Sequence, residues 1–163
     1  MAFVKDNIII ENARIGFRNF AGKEGPYNRA GDRNFAVFFE DRAQAQELYD
    51  IGWNVKNVDK EDRDPHLAVK VSFGHYPPII TLIQISGGKK KAIKIDEDNI
   101  KMLDSIKYDN IDMVIRPYNY EVRGTQGVSA YLEEMYITQK LSPLASKYAD
   151  IDDEPFDEED CPF

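Results

Sequence analysis

The stretch FRNFAGKEGPYNRAGDRNFAVFF, residues 17–39, decides the fold of this chain. Its last seven residues, RNFAVFF, combine three aromatic rings with a valine, a composition typical of a strand. Residues 21–32 contain three glycines and one proline, which interrupt regular structure and predict a loop. Before the loop, apolar side chains recur mostly every second position, which predicts a strand over residues 7–20, interrupted near Asn12. The stretch therefore predicts two strands joined by a glycine-rich loop.

The same reasoning, extended outward, predicts further strands and two helices. One helix begins at Asp41, which with Gln44 makes a capping box, and ends at Gly52. A second helix over residues 96–107 carries an apolar stripe behind an acidic first turn. Apolar alternation and turn residues predict strands over residues 67–73, 79–85, 111–123 and 128–138.

This order of elements fits an OB-fold, in which three strands, a helix and two strands form a partly open barrel. The chain adds a helix after the second strand and a hairpin before the main helix. We therefore predict a mainly β, OB-fold-like five-stranded barrel with one or two helices over residues 1–141. A linker over 142–149 and an acidic tail over 150–163 follow. A mixed α+β sheet of another topology would give a similar order.

Composition limits the class of protein. The 163 residues suggest one domain, and 42% hydrophobic content is enough for a core. The amino-terminal sequence lacks a signal peptide, and no run approaches the length of a membrane span, so a cytoplasmic location is expected. Cys161 is the single cysteine, and His66 and His75 have no zinc-site spacing with it. We predict no cofactor and no metal.

The carboxyl-terminal fourteen residues, DIDDEPFDEEDCPF, carry most of the net charge of −8. They hold eight acids and no base, so the remainder of the chain has 21 acids against 21 Lys and Arg. Such a segment is predicted to be disordered alone, because it buries too little apolar surface to offset its ordering entropy. Its carboxylates and phenylalanines suit binding to a basic groove of a partner protein. A solubilising tail is the alternative.

Residues 14–35 combine cations with aromatic rings, as a single-stranded nucleic-acid site requires, because cations hold phosphates and flat rings accept unstacked bases. Core positions are favoured for Phe17 and Phe35, whereas Tyr27 lies in the loop and is the better stacking candidate. The string Arg-Asn-Phe occurs twice, at 18–20 and 33–35. The residues of this stretch that are predicted to bind nucleic acid are Arg14, Arg18, Phe20, Lys23, Tyr27, Arg29 and Arg33.

Two other segments extend the predicted DNA-binding surface. Lys89, Lys90 and Lys91 form a cation cluster at a hairpin tip, which suits phosphate contact or is simply a solvated turn. In the strand over 111–123, buried-type residues alternate with an aromatic and cationic face. The residues predicted on that face are Arg116, Tyr118, Tyr120 and Arg123.

Catalysis has little support in the sequence. Asp59, Glu61, Asp62 and Asp64 cluster in a polar loop, where a solvated charge run is favoured over a two-metal nuclease site. There is no nucleophile elbow, no Cys–His pair and no dinucleotide fingerprint. We therefore predict that the protein is not an enzyme.

The tail resembles the acidic tip of bacterial and phage single-stranded DNA-binding proteins, which ends in Asp residues followed by Pro-Phe. Asp160, Pro162 and Phe163 match that ending, and Cys161 replaces its usual Ile. Residues 17–39 resemble phage-encoded OB-fold proteins of this function. The resemblance implies a sequence-independent single-strand binder for phage DNA replication or recombination in the host cytoplasm, which recruits replication or recombination proteins. The tail residues implied in recruitment are Asp153, Phe156, Asp160, Pro162 and Phe163.

Some properties stay open at this point. The edge strands allow pairing between chains, so a homo-oligomer is compatible with the sequence. No motif separates single-stranded DNA from RNA or duplex. An acidic, DNA-mimicking adaptor or inhibitor that binds a protein partner is the main alternative function, because the tail is so strongly acidic.

Overall fold

The computed structural model describes residues 4–142 and residue 144. The predicted acidic tail and most of the predicted linker lie outside the described residues. The described part contains one α-helix, one short 3-10 helix (Ile100–Asp104) and nine strands. Their bounds are β1 Ile8–Ile10, β2 Arg14–Asn19, β3 Arg33–Phe38, α1 Arg42–Ile51, β4 Val55–Lys56, β5 His66–Val71, β6 Ile79–Ser86, β7 Lys89–Ile95, β8 Asn110–Val122 and β9 Thr125–Lys140. The mainly β prediction is confirmed.

The first predicted strand is one bent segment made of β1 and β2. Asn12, at the bend, has a φ of 51°, in the left-handed region that asparagine tolerates better than most residues. β1 pairs with β8, and β2 pairs with β3. The amide of Ala13 donates to the carbonyl oxygen of Ile111 at 2.7 Å, which ties the bend to β8. The interruption predicted near Asn12 is therefore present.

The sheet order is β1-β8-β9-β5-β3-β2, and its two ends are the halves of the bent segment. The path therefore returns to the strand from which it started. Its neighbours run antiparallel except for β5 and β9, which run parallel. With β1 and β2 counted together, the path has the five strands of the predicted OB-fold-like barrel. The β6–β7 hairpin, added through β6 to β9, and β4, added to β5, extend this barrel.

The core lies inside this path and follows the two-residue period of the strands. Leu67, Val69 and Val71 of β5 are buried, whereas the residues between them are not. Burying one such side chain contributes about 1.5–3 kcal/mol relative to leaving it exposed. Among the described residues, no helix is long and apolar enough to cross a membrane.

Helix α1 begins and ends where the sequence predicts. The Asp41 carboxylate accepts a hydrogen bond from the amide of Ala43 at 2.9 Å, as an N-cap does. Gly52 has a φ of 127°, and its amide donates to the carbonyl oxygen of Leu48 at 3.2 Å. Glycine is suited to this C-cap because it lacks the Cβ that penalises positive φ.

The second predicted helix is much shorter than expected, because only Ile100–Asp104 is helical and it is a 3-10 helix. The carboxylate of Asp96 accepts from the amides of Asp98 and Asn99 at 2.9 and 3.1 Å. The Asn99 side chain donates back to the carbonyl oxygen of Lys94 at 3.1 Å. Such side-chain bonds to the backbone compete with helix formation, so this segment forms a turn before the helix.

The repeated Arg-Asn-Phe string has a structural explanation. Asn19 and Asn34 are cross-strand partners, and the rings of Phe20 and Phe35 stack in the core with centroids 5.1 Å apart. The first arginine, Arg18, donates to the carbonyl oxygens of residues 103 and 106 at 3.0 and 2.8 Å. The two copies therefore supply one stacked core contact beside β2 and β3, and Arg18 ties β2 to the segment that contains the 3-10 helix.

Candidate nucleic-acid interface

The outer face of the barrel carries one row of polar and aromatic side chains across five strands. The register places Asn19 beside Asn34, Asn34 beside Lys70, Lys70 beside Tyr131 and Tyr131 beside Arg116. The chain neighbours of these residues include buried core side chains. Because successive side chains of a strand point to opposite faces, the row lies on the outer surface.

Two adjoining concavities, of about 990 and 430 Å³, follow this row, and together we name them the sheet cleft. Both are lined by Lys56, Ala68, Lys70 and Tyr131, so they form one depression across the sheet. The larger one extends to the loop between β2 and β3, and the smaller one extends along the β8–β9 hairpin. The cleft therefore joins the two segments that the sequence singled out.

Tyr131 lies at the centre of the sheet cleft. The guanidinium carbon of Arg116 is 5.5 Å from its ring centroid, and the Lys70 Nζ is 5.8 Å from it. The ring of Tyr118 meets Tyr131 edge-on, with centroids 5.7 Å apart. Arg116 also lies 5.4 Å from the ring of Tyr76, which is exposed. The cations over these rings give the surface positive charge, and the rings give it flat aromatic faces.

The smaller concavity is lined by Tyr118 and Tyr120. Tyr118 is 57% exposed, so its ring is available to a ligand. The hydroxyl of Tyr120 accepts a hydrogen bond from the Asn54 side-chain amide at 2.8 Å, which fixes the orientation of its ring. Gly127 lies across from Tyr120, where an added Cβ would come within 2.5 Å of the Tyr120 hydroxyl oxygen. Glycine is therefore required at this position for the ring to lie across β9.

The loop between β2 and β3 places Tyr27, Arg29 and Lys23 on the surface, and Tyr27 lines the larger concavity while fully exposed. The side-chain amide of Asn28 donates to the carbonyl oxygens of Lys23 and Asp32 at 2.8 and 3.0 Å. These bonds shape the loop from within, so its tip presents Tyr27 to solvent.

Arg33 also lines the larger concavity, but its guanidinium already has protein partners. It donates to the carbonyl oxygen of Ala21 at 3.2 Å, approaches Glu97 at 3.8 Å and lies 5.8 Å from the Phe73 ring. Arg33 therefore shapes the cleft wall, and its charge faces that of Glu97, which lines the same concavity.

Four of the fourteen predicted residues line the sheet cleft, and the other ten do not: Arg14, Arg18, Phe20, Lys23, Arg29, Lys89, Lys90, Lys91, Arg116 and Arg123. Phe20 is fully buried against Phe35, so its predicted role in base stacking is wrong. Arg18 donates to backbone carbonyl oxygens near the 3-10 helix, and it does not line the cleft. Arg14 pairs with Asp64 at 2.6 Å and lies over the ring of Phe38, beyond the cleft lining.

The lysine cluster lies apart from the sheet cleft. Lys89 to Lys91 begin β7, whose partner strand β6 pairs with the end of β9 near Lys140. Lys140 is nine residues from Tyr131, which is about 30 Å along a strand at ~3.3 Å per residue. Phosphate contact by these lysines stays a separate prediction. Arg123 lies exposed at the β8–β9 turn, next to Val122 of the cleft.

Sequence reasoning missed three residues of the cleft: Lys56, Lys70 and Tyr131. Lys70 was visible as the charged position within the alternating segment LAVKVSF. Its partner Tyr131 is 61 positions away and meets it through the parallel pairing of β5 and β9. Local patterns carry no signal for such a contact.

Phe17 differs from its favoured placement in the core, whereas Phe35 is buried as expected. Phe17 is 73% exposed and has a φ of 47°. The left-handed region costs a residue with a Cβ about 1–2 kcal/mol, so a bulky ring there is an outlier. The pairing of β2 with β3 shifts register between Gly16 and Asn19, and this bulge places Phe17 outside.

The acidic loop over 59–64 shows no metal-site geometry. Among the described residues, no group of three or more His, Cys, Asp or Glu side chains is placed to hold a metal ion. Asp64 instead pairs with Arg14. The alternative of a metal-dependent nuclease gains no support from this loop.

A small β-barrel whose outer face combines cations with exposed rings has the features of the oligonucleotide-binding class of domains. The chain belongs to the family described as "Putative phage ssDNA-binding domain", whose family model matches residues 2–161. That match covers nearly the whole sequence and confirms the resemblance to phage single-stranded DNA-binding proteins.

Two solved structures of similar fold are of a phage single-stranded DNA-binding protein. The single-stranded DNA-binding protein of bacteriophage Enc34, in a carboxyl-terminal truncation, has a TM-score of 0.53 at 11% identity, covering 84% of this chain and 87% of that chain. The same phage protein in complex with ssDNA has a TM-score of 0.52 at 12% identity, covering 84% and 88%. At these identities the likeness concerns the fold. Among curated proteins, none matches the sequence.

Proposed function

We propose that this protein binds single-stranded DNA without sequence preference, by a non-catalytic mechanism, and coats exposed strands during phage DNA replication or recombination in the host cytoplasm. The observation that carries the proposal is the continuous sheet cleft, with Tyr131 at its centre between Arg116 and Lys70. The family membership and the ssDNA complex of the Enc34 protein support it.

The chemistry of the cleft suits an unpaired strand. Lys56, Lys70 and Arg116 supply positive charge for phosphates, and exposed rings accept bases at roughly 1–3 kcal/mol each. A ring stacks on any base, because every base has an aromatic face, so such a site is tolerant of sequence. The strand order supports assignment of the barrel as an OB-fold, whose corresponding face and loops bind oligonucleotides.

Within this proposal the acidic tail recruits replication or recombination proteins. Its eight carboxylates and terminal Pro-Phe are the features of a peptide ligand for a basic, apolar pocket. The tail lies outside the described residues, so the sequence alone supports this part of the proposal.

Fluorescence anisotropy at two salt concentrations tests the proposal with labelled oligo-dT, a mixed-sequence single strand, oligo-rU and duplex DNA of equal length. We expect oligo-dT and a mixed-sequence single strand to bind with similar affinity and more tightly than duplex. The logarithm of the affinity should fall with the logarithm of salt by about 0.7 per phosphate neutralised. Absence of oligo-dT binding would contradict the proposal, and protein partners retained after nuclease treatment would then favour the adaptor alternative.

A further inference from the structure

We propose that Phe17, Phe38 and His66 form a second base-stacking platform at the β2 edge of the sheet cleft, remote from Tyr118 and Tyr131. This inference rests on the proposed binding of single-stranded DNA. It assigns a base-binding role to Phe17, for which core packing is the usual expectation at strand spacing.

The three rings form one cluster on the outer face. The centroid of Phe17 is 5.6 Å from that of Phe38 and 5.9 Å from that of His66, and Phe38 and His66 are 5.5 Å apart. Gly16 lies beneath Phe38, and an added Cβ would come within 2.6 Å of its ring. Phe38 therefore packs closely over the backbone at Gly16, while Phe17 is 73% exposed beside it.

The backbone holds Phe17 outward at an energetic cost. Its φ of 47° lies in a region that bulky residues rarely adopt, and the β2 bulge maintains it there. On the other side of the same bulge, Arg18 is held by the carbonyl oxygens of Leu103 and Ile106. Strained, exposed residues of this kind concentrate at ligand-binding sites, which points to a ligand for the Phe17 ring.

The platform is continuous with the sheet cleft and has a cation beside it. Phe17 lines the larger concavity together with Tyr27 and Tyr131. The guanidinium carbon of Arg14 lies 4.9 Å from the Phe38 ring centroid, on the platform itself. Arg14 also pairs with Asp64 at 2.6 Å, so its charge is balanced in part by that carboxylate.

The distance between the two platforms sets a scale for the ligand length. Four strand spacings of about 4.8 Å separate β2, which carries Phe17, from β8, which carries Tyr118, so a bound strand crosses roughly 19 Å of sheet between them. At the roughly 3.4 Å per nucleotide of one strand of B-DNA this span corresponds to about six nucleotides, and a more extended strand reaches both platforms with fewer.

The variant Phe17→Gly tests the platform. We expect its affinity for an oligo-dT of about a dozen nucleotides to fall roughly 5- to 150-fold, the value of one stacked base. Its thermal unfolding midpoint should change little, because glycine accepts a φ of 47° and offsets the lost ring contact. Tyr49→Ala, which removes an exposed ring on α1 outside the cleft, is the matched control and should bind like wild type.

A second variant reports on the ring directly. Trp53 is buried at 3% exposure and is the single tryptophan, so Phe17→Trp places a new exposed fluorophore on the platform. Oligo-dT should quench its emission. Wild-type affinity in Phe17→Gly together with an unquenched Phe17→Trp would overturn the platform while leaving the proposed function intact. Failure of wild-type protein to bind oligo-dT would overturn both.

Discussion

Single residues decide the chemistry of the sheet cleft. Tyr131 has a guanidinium and an ammonium group within 6 Å of its ring, and those cations come from two different strands. Each cation therefore lies against an aromatic ring of the cleft. Binding to phosphates then requires less ordering of long side chains than at an unstructured lysine patch.

Replacing Lys70 by alanine should weaken oligo-dT binding and lower the salt slope by about 0.7, because one phosphate contact is lost. Lys70 lines both concavities, so its loss affects the middle of the bound strand. Anisotropy titrations at several salt concentrations measure both effects. Lys101→Ala, which removes an exposed lysine of the 3-10 helix outside the cleft, is the control. Equal slopes for the two variants would argue against a phosphate contact at Lys70.

Replacing Gly127 by alanine should destabilise the protein by about 1–3 kcal/mol, as overpacking does, because the new Cβ would collide with Tyr120. It should also break the hydrogen bond between Asn54 and Tyr120 and weaken DNA binding. Chemical denaturation and anisotropy measure these two effects. Gly25→Ala is the control, because its Cβ would have no atom within 4 Å. An unfolding free energy unchanged in Gly127→Ala would contradict the packing argument.

At the scale of elements, regular patterns were predictable and irregularities were not. Helix α1 was predictable because Asp41 and Gly52 are chemically distinct caps. Tyr118 and Tyr120 were predictable as outward residues because β8 alternates regularly at its start. The β2 bulge was not predictable, because a shift of register does not change the spacing of apolar residues in the sequence. Phe17 was therefore expected in the core.

The β6–β7 hairpin gives a prediction at the same scale. Replacing Lys89, Lys90 and Lys91 together by alanine should leave binding of an oligo-dT of about a dozen nucleotides nearly unchanged, because the cluster lies about 30 Å from Tyr131 along β9. Binding of an oligonucleotide several times longer should weaken, since it reaches the hairpin. Titrations with both lengths measure the difference. Equal weakening for both lengths would place these lysines within the main binding site.

At the scale of the whole molecule, the charges of the barrel and the tail differ in a way that affects binding. Residues 1–149 are formally neutral, and the following fourteen residues hold all of the excess negative charge. We propose that this anionic segment competes with DNA phosphates for the cation-lined cleft, and we interpret the unequal distribution of charge in this way.

Deleting residues 150–163 should therefore tighten oligo-dT binding at low salt, and the gain should shrink as salt rises and screens the competition. Anisotropy of the full chain and the truncated chain at matched salt measures this gain. A full-length variant with the eight tail acids replaced by their amides serves as the control, and it should bind like the truncated chain. Identical affinities for full-length and truncated protein would contradict competition by the tail.

The whole-molecule topology was only partly accessible to sequence reasoning. The five strands of the sheet path were predictable from alternation and turns. The contact of Lys70 with Tyr131 was not, because parallel pairing of β5 and β9 joins segments that are far apart in sequence. The centre of the cleft depends on this pairing. The exposed loop residue Tyr27 was therefore easier to predict from the sequence than the central residue Tyr131.

The bend at Asn12 has a consequence for proteolysis and permutation. The polypeptide between β1 and β2 connects the two end strands of the sheet order. β1 is hydrogen-bonded to β8, and β2 is hydrogen-bonded to β3. Proteolytic cleavage between β1 and β2 would leave β1 paired with β8 and β2 paired with β3. It would remove the covalent connection between these two ends of the sheet. A circular permutation that places the new termini there should accordingly yield a folded protein in which β1 and β2 open locally more often. Amide hydrogen exchange should then be faster in β1 and β2 than in β5.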